Sequence, residues 1–138
     1  MEPDDKTQSD VFLHGEGDAW FARNRAQIES LAEPTIDVEF ICNSLTPFRS
    51  TIQNILEIGC GSGDKLDRLA QYFDASGSGI DPSAVAISFA KEASKLKKAQ
   101  LSFEVGLATD LPYQDEMFDF VFLGFAFTWC LPLRLIKQ

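Results

Sequence analysis

The sequence is poor in histidine and in closely spaced cysteines. It has one histidine, His14, and its three cysteines, Cys42, Cys60 and Cys130, lie far apart. A cysteine and histidine zinc site needs characteristic ligand spacing, and a Ser-His-Asp triad needs an imidazole. We therefore expect neither a metal site nor a triad. The unpaired cysteines favour a reducing, cytoplasmic location.

Basic residues are also scarce. The chain has 12 lysines and arginines against 21 aspartates and glutamates, which gives a net charge of −9. Nucleic acids and anionic membranes attract basic surfaces, so this charge disfavours both as partners. A small-molecule partner is the expectation.

No hydrophobic run is long enough to predict a membrane span. The apolar segment 118–136 is interrupted by Asp119 and Arg134, and the stretch between them is shorter than the roughly 20 residues that cross a bilayer. Residues 1–10 are acidic where a signal peptide would be basic, and we expect them to form a flexible leader. A length of 138 residues is typical of one domain.

Hydrophobic spacing predicts an α/β fold with N-terminal helices. One helix is expected from Asp18 to Ile28 and a second between Pro34 and Pro47, so that 11–53 forms a helical lid or cap. From residue 54 to 138 strands alternate with helices, which predicts a doubly wound, Rossmann-like, mostly parallel sheet. The expected strands are 55–58, 77–80, 101–105 and 118–123.

Three helices show apolar residues at helical spacing. The expected buried faces are Val38, Ile41, Cys42 and Leu45 in the helix after Pro34; Leu66, Leu69, Ala70 and Phe73 in the helix after strand one; and Val85, Phe89, Ala93 and Leu96 in the helix after strand two. Pro82 is expected to open that last helix, which should reach about Lys98.

Three features fall at the carboxyl ends of the predicted strands, where open parallel sheets bind ligands. A glycine-rich loop, Gly59-Cys60-Gly61-Ser62-Gly63, follows strand one, Asp81 ends strand two, and the loop 106–112 follows strand three. Glycines allow a ligand to lie against the backbone. A carboxylate at the end of the second strand accepts hydrogen bonds from ribose hydroxyls. The sequence thus predicts an adenosine site.

Each feature also has a structural interpretation. The glycines could form only a tight turn, Asp81 could cap the next helix, and Cys60 is better explained as a buried filler than as a nucleophile. For the cofactor, Asp64 stands where a dinucleotide fingerprint has its third glycine, which disfavours NAD, and no P-loop sequence is present.

The sequence from Glu57 to Gly63, E-x-G-x-G-x-G, resembles motif I of the class I S-adenosylmethionine-dependent methyltransferases. The resemblance runs from about Asn54 to about Leu123. It implies S-adenosylmethionine as cofactor, with its methionine and ribose lined by Gly59, Cys60, Gly61 and Gly63. Glu57 would organise the loop, and Asp81 would hold the ribose hydroxyls.

The passage from Ala108 to Tyr113, followed by Phe118-Asp119-Phe120-Val121, is similar to the family's A-x-x-L-P-F and F-D-x-V sequences. In the family the residue before the alanine often contacts the adenine amine. Here that residue is the apolar Leu107, so the resemblance implies adenine binding by the backbone at Ala108 and by packing.

The segment 15–24 is similar to the opening of small methylases associated with pseudaminic acid and other surface-sugar biosynthesis. This similarity implies a sugar-derived acceptor and a lid helix. Trp20 would cover the cofactor, and Arg23 or Arg25 would reach its carboxylate, although aromatics such as Trp20 and Phe21 more often belong to a core.

The family resemblance implies seven strands in the order 3-2-1-4-5-7-6, of which the sequence supplies four. We therefore expect a C-terminally truncated or frame-shifted methyltransferase, its sheet incomplete after strand four, with self-association through the exposed edge of that strand. No residue can be named as the catalytic base. The alternative functions are a non-catalytic adenosine-ligand module completed by a partner chain and, with least support, an NAD-dependent sugar-nucleotide enzyme.

Overall fold

The computed structural model describes residues 8–30 and 36–124. Its helices are α1 (Gln8–Val11), α2 (Gly17–Ser30), α3 (Ile36–Leu45), α4 (Asp64–Phe73) and α5 (Ala84–Ser94), with a kinked segment at Phe12–Glu16 and a 3-10 turn at Thr46–Phe48. The strands are β1 (Asn54–Ile58), β2 (Ser76–Asp81), β3 (Leu101–Val105) and β4 (Phe120–Leu123). Helix α1 starts inside the segment expected to be a flexible leader.

The four strands form one parallel sheet in the order β3-β2-β1-β4. Ile58 at the end of β1 stands opposite Ile80 of β2 and Leu123 of β4, so the carboxyl ends of three strands meet at one edge. The predicted α/β, Rossmann-like, mostly parallel sheet is confirmed. The expected order of the first four strands is confirmed with it.

The two faces of the sheet are covered differently. One face packs against α3, α4 and α5 in a cluster that includes Val38, Leu66, Ile87 and Phe103. The other face carries a smaller apolar cluster. Its three buried residues belong to β1 and β2 and are Leu56, Ile58 and Ile80. The half-buried residues packed against them are Ala108, Leu111, Tyr113, Phe118 and Leu123. In the part of the chain that the structure describes, the helices that follow β1 and β2 therefore share one face.

The predicted buried faces of the first two sheet-covering helices are confirmed. Leu66, Leu69, Ala70 and Phe73 of α4 are all buried. In α3, Val38 is buried and Ile41, Cys42 and Leu45 pack against the same core while half-buried.

The prediction for α5 is wrong at both ends and at two of its four face residues, whereas Phe89 and Ala93 are half-buried. Val85 and Leu96 are 49% and 91% exposed, and the buried residues are Ala86, Ile87 and Ala90. Small alanines allow the helix to approach closely, since Ala90 Cβ lies 3.6 Å from the position that a Cβ on Gly63 would occupy. The helix begins at Ala84 with Ser83 as its N-cap, not at Pro82, and ends at Ser94, before Lys98.

Strand β4 carries apolar side chains on both faces. Phe120 and Phe122 stack with ring centroids 5.6 Å apart against the helical face, and Leu123 packs on the other. Val121 is 42% exposed. The sheet is not closed among the described residues, where β4 pairs only with β1, and the remainder of the apolar segment 118–136, from residue 125, lies outside them. No helix in the described ranges is long and apolar enough to cross a membrane.

Candidate functional site

The glycine-rich loop turns sharply between β1 and α4 and is fixed to the end of β2. The Gly59 and Cys60 amides both donate to the carbonyl of Ile80, at 2.7 and 3.1 Å. Gly59, Gly61 and Gly63 have φ angles of 77°, 53° and 82°, which residues with a Cβ rarely adopt. The loop therefore needs glycine at these positions for its backbone path.

Two of these glycines also differ in what surrounds them. A Cβ on Gly63 would lie 2.6 Å from the Phe103 ring, whereas a Cβ on Gly61 would meet nothing within 4 Å. Gly63 thus allows α4 to start close against β3. Gly61 leaves open space beside its backbone, which is what a flat or extended ligand requires.

Cys60 lies in the same loop but faces inward. Its side chain is buried, and its Sγ would be 2.8 Å from a Cβ on Gly79 of β2. Burial, together with the charges of Glu57 and Asp81, raises the pKa of the Cys60 thiol well above its ordinary value. The geometry supports the buried-filler interpretation of the Cys60 side chain.

Asp81 ends β2 beside the loop. Its Oδ2 accepts a hydrogen bond from the Gly61 amide at 2.9 Å, and its Oδ1 accepts one from the Ser83 amide at 2.9 Å. Burial raises the pKa of Asp81, the two backbone hydrogen bonds lower it, and the Asp18 charge raises it further. Ser83, not Asp81, caps α5, so Asp81 serves chiefly to fix the loop at this edge.

Glu57 carries a carboxylate into the interior beneath the loop. Its side chain is 1% exposed, and its Oε2 has no hydrogen-bond partner among the described residues. Burial raises the pKa of Glu57 well above its ordinary value, Lys65 opposes this change, and Asp81 adds to it. A buried acid with an unused oxygen is costly to the fold, and such groups concentrate at functional sites.

Gly124 is a site residue that the sequence analysis missed. It follows β4, and a Cβ there would lie 2.5 Å from Glu57 Oε1 and 2.6 Å from the Gly59 carbonyl oxygen. Its amide donates to the Ile58 carbonyl at 2.8 Å. The sequence signal for Gly124 is a glycine directly after the fourth strand. This signal identifies a site residue only once β4 and β1 are known to be neighbours.

The segment after β3 is tied to the same edge. The Gly106 amide donates to the Asp81 carbonyl at 3.0 Å, and Leu107 forms an isolated antiparallel bridge with Asp110. Leu107 is half-buried, while Ala108 packs on the cluster of Leu56, Ile58 and Ile80. The structure thus brings Leu107 and Ala108 to the edge that holds Asp81.

The expected lid helix, α2, packs against α5. Phe21 is 2% exposed, with its ring centroid 6.3 Å from that of Phe89. Phe21 is therefore a core residue; Trp20 is half-buried, and Arg23 pairs with Glu16 at 2.5 Å. The side chain of Arg25 lies outside the described residues.

This edge of the sheet combines bare backbone with oxygen acceptors. Gly61 faces open space beside the Asp81 carboxylate, and the segment at Leu107 and Ala108 adds apolar surface. Hydroxyl groups and an aromatic base would find matching partners here. Within 8–30 and 36–124 there is no group of three or more histidine, cysteine or acidic side chains that could hold a metal ion.

Comparisons with known proteins agree with this geometry. Ajmaline N-methyltransferase of Rauvolfia serpentina is 37% identical over 71 residues, which are 50% of this chain and 24% of that protein. Phosphoethanolamine N-methyltransferase 3 of Arabidopsis thaliana is 39% identical over 70 residues, 51% of this chain and 14% of that protein. The chain therefore spans a quarter or less of the length of these relatives.

Solved structures share the fold. The MccD protein superposes with a TM-score of 0.52 at 30% identity over 60% of this chain and 38% of that one. The plantazolicin methyltransferase BpumL, solved with SAH, superposes with a TM-score of 0.57 at 20% identity over 84% of this chain and 44% of that one, which shows a common fold.

Residues 55–137, more than half of the sequence, match a family described as a methyltransferase domain. The match begins in β1 and includes the glycine-rich loop, Asp81 and the segment after β3. The chain therefore belongs to the methyltransferase domain family, as the E-x-G-x-G-x-G sequence predicts.

Proposed function

We propose that the protein is an S-adenosylmethionine-dependent methyltransferase acting on a small acceptor. The observation that carries the proposal is the bare backbone of Gly61, which has positive φ, open space beside it and an amide bonded to the Asp81 carboxylate. The fold shared with a methyltransferase solved with SAH supports the same cofactor. S-adenosylhomocysteine (SAH) differs from the cofactor only in lacking the transferable methyl group.

The residues of this edge fit an adenosine cofactor in three parts. Asp81 accepts the ribose hydroxyls, and the backbone of Gly59, Cys60, Gly61 and Gly63 lies along the methionine and ribose. Leu107 and Ala108 contact the adenine through apolar surface and backbone. Glu57 supports the loop from below, where its buried Oε2 has no hydrogen-bond partner among the described residues.

The bound sulfonium supplies an already activated methyl group, so the protein must mainly align an acceptor and exclude water. This requirement suits a chain with a single histidine. The two plant relatives are named for ajmaline and phosphoethanolamine. For this chain we propose a small molecule, and the narrower proposal of a sugar-derived acceptor is supported only by the similarity of residues 15–24 to surface-sugar methylases.

Calorimetric titration with SAH tests the cofactor proposal. The folded protein should release or absorb heat with one-to-one stoichiometry, and Asp81→Ala should weaken binding about tenfold or more because the ribose loses charged acceptors. Glu92→Ala is the matched control. It removes one acid from an exposed ion pair with Lys95 at the other end of α5 and should leave affinity unchanged. Absence of heat with folded protein would contradict the proposal.

Transfer of a labelled methyl group distinguishes an enzyme from a non-catalytic binding module. The protein is incubated with labelled S-adenosylmethionine and fractionated small-molecule extract. We expect a labelled product that disappears with Asp81→Ala, whereas a binding module would take up cofactor and yield no product. Purified nucleotide sugars and alkylamines, tested separately, decide between sugar-derived and amine acceptors.

We further propose self-association through the edge of β4, which pairs only with β1 among the described residues. Sedimentation equilibrium should show concentration-dependent oligomers, and Val121→Lys should shift them to monomer. A monodisperse monomer at all concentrations would contradict this. The cytoplasmic location also stays a prediction, which fractionation of the source cells tests. The domain division at residue 54 stays a prediction as well.

A further inference from the structure

A carboxylate from α2 reaches into the first turn of α5. Asp18 Oδ1 accepts hydrogen bonds from the Ser83 hydroxyl at 2.6 Å and from the Val85 amide at 3.1 Å. Val85 is the second residue of α5, so its amide has no acceptor within its own helix. Asp18 therefore completes the N-terminal cap of a helix far from it in sequence, and its charge suits the positive end of the helix dipole.

Ser83 joins this carboxylate to the proposed ribose site. It is 1% exposed, and its hydroxyl donates to Asp18 while accepting from the Ala86 amide at 3.0 Å. Its own amide donates to Asp81 Oδ1 at 2.9 Å. The other oxygen of Asp81 accepts from Gly61. A continuous series of hydrogen bonds thus runs from α2 through Ser83 and Asp81 to the glycine-rich loop.

The apolar part of the same contact fixes the distance between the two helices. Phe21, one turn after Asp18 on α2, is buried and packs its ring on Phe89, one turn after Val85 on α5. The polar and apolar contacts lie side by side. Asp18 is therefore held at the start of α5 by packing as well as by its hydrogen bonds.

We propose that Asp18 is a positioning residue for the cofactor: by fixing Ser83, it holds Asp81 in the orientation that receives the ribose, so cofactor affinity depends on the contact between α2 and α5. This inference rests on the proposed function, since it assigns the ribose to Asp81. Loss of the Asp18 carboxylate frees the Ser83 hydroxyl to rotate and leaves the Val85 amide without its acceptor. Both changes loosen the turn that places Asp81.

The experiment measures the dissociation constant for SAH in Asp18→Ala, Asp18→Asn and the control Glu92→Ala, each checked for folding by circular dichroism. Asp18→Ala should raise the constant about tenfold, because only part of the free energy of the two lost hydrogen bonds acts on the ribose site. Asp18→Asn keeps an Oδ1 acceptor and should stay within about twofold of the wild type. The control should match the wild type.

A double-mutant cycle with Ser83→Ala separates positioning from general destabilisation. If Asp18 acts through Ser83, its removal in the Ser83→Ala background should have much less effect on SAH affinity than in the wild type. Equal effects in both backgrounds would overturn the inference. If Asp18→Ala does not fold, the same cycle is run with Asp18→Leu at lower temperature, and the Asn variant still tests the acceptor.

The pH dependence of SAH binding supplies a second readout. The groups whose charges act on Asp81 or respond to it are Asp18 on α2, Glu57 on β1 and Cys60 in the loop. Because the Asp18 charge raises the pKa of Asp81, Asp18→Asn should let Asp81 stay ionised, and binding persist, to lower pH. Absence of SAH binding by the wild type would overturn the proposed function and this inference together, whereas wild-type binding with an unaffected Asp18→Ala would overturn this inference alone.

Discussion

The two ends of β1 each use a carboxylate, in opposite ways. At the amino end, Asp119 Oδ2 accepts from the Gln53 and Asn54 amides, both at 2.9 Å, and its side chain is exposed. At the carboxyl end, Glu57 is buried with its Oε2 unpartnered among the described residues. The first arrangement satisfies the backbone and stabilises the sheet. The second has a buried carboxylate oxygen that the described part of the fold does not use, close to the open space beside Gly61, and this is what a binding site requires.

The largest expected loss of stability comes from substituting Gly63, the most closely packed glycine at the carboxyl end of β1. Gly63→Ala places a methyl group 2.6 Å from the Phe103 ring at a φ of 82°. Overpacking and left-handed strain together should lower the free energy of unfolding by about 3 kcal/mol. Chemical denaturation measures it. Adding Phe103→Leu should recover part of the loss, and a wild-type midpoint for Gly63→Ala would contradict the geometry.

A smaller loss of stability is expected from a substitution at the amino end of β1. Asp119→Ala removes both acceptor contacts to the start of β1 and should lower the free energy of unfolding by about 1–3 kcal/mol, with no change in the SAH affinity of the folded protein. Asp119→Asn keeps an acceptor and should lose less. A weakened SAH affinity in folded Asp119→Ala would show that the two ends are not separate in function.

Much of the fold and of the candidate site can be predicted from the sequence. The strands at 55–58 and 101–105, the glycine-rich loop and Asp81 lie where the apolar pattern and glycine spacing place them, because short buried strands and sharp turns depend on local sequence. The apolar face of α4 follows from spacing for the same reason.

The features that the sequence does not predict depend on contacts between segments that lie far apart in the chain. Asp18 and Ser83 are 65 positions apart, and nothing in either local sequence indicates their hydrogen bond. The buried face of α5 is set by alanines that allow close approach, whereas the larger Val85 and Leu96 point outward. Gly124 contacts Glu57 only because β4 pairs with β1.

The buried carboxyl group of Glu57 predicts a pH dependence of stability. Because burial raises the pKa of Glu57, the folded state binds more protons than the unfolded state above the ordinary value. Stability is therefore fully present below that value and is lost as pH rises through the raised pKa, by about 1.4 kcal/mol for each tenfold difference in proton affinity between the folded and unfolded states. Burial raises the pKa of Asp81 too, which gives a slope of the same sign.

Glu57→Gln should remove the Glu57 part of this slope. As pH rises above the ordinary glutamate pKa, the variant should lose less stability than the wild type, and at the highest pH measured it should be the more stable protein. Denaturation at a series of pH values measures both slopes. Parallel curves for the two proteins would contradict a raised Glu57 pKa.

The smallest effect on stability is expected at Gly61, where affinity should change most. An alanine there would meet nothing within 4 Å, so only left-handed strain of about 1 kcal/mol opposes it. The added methyl group would occupy the open space on which the proposed cofactor lies, and SAH affinity should fall at least about tenfold. Asp74→Ala is the matched control, because Asp74 has a φ of 52° against 53° at Gly61 but caps the far end of α4. Equal affinities in the two variants would show that the ligand does not touch this backbone.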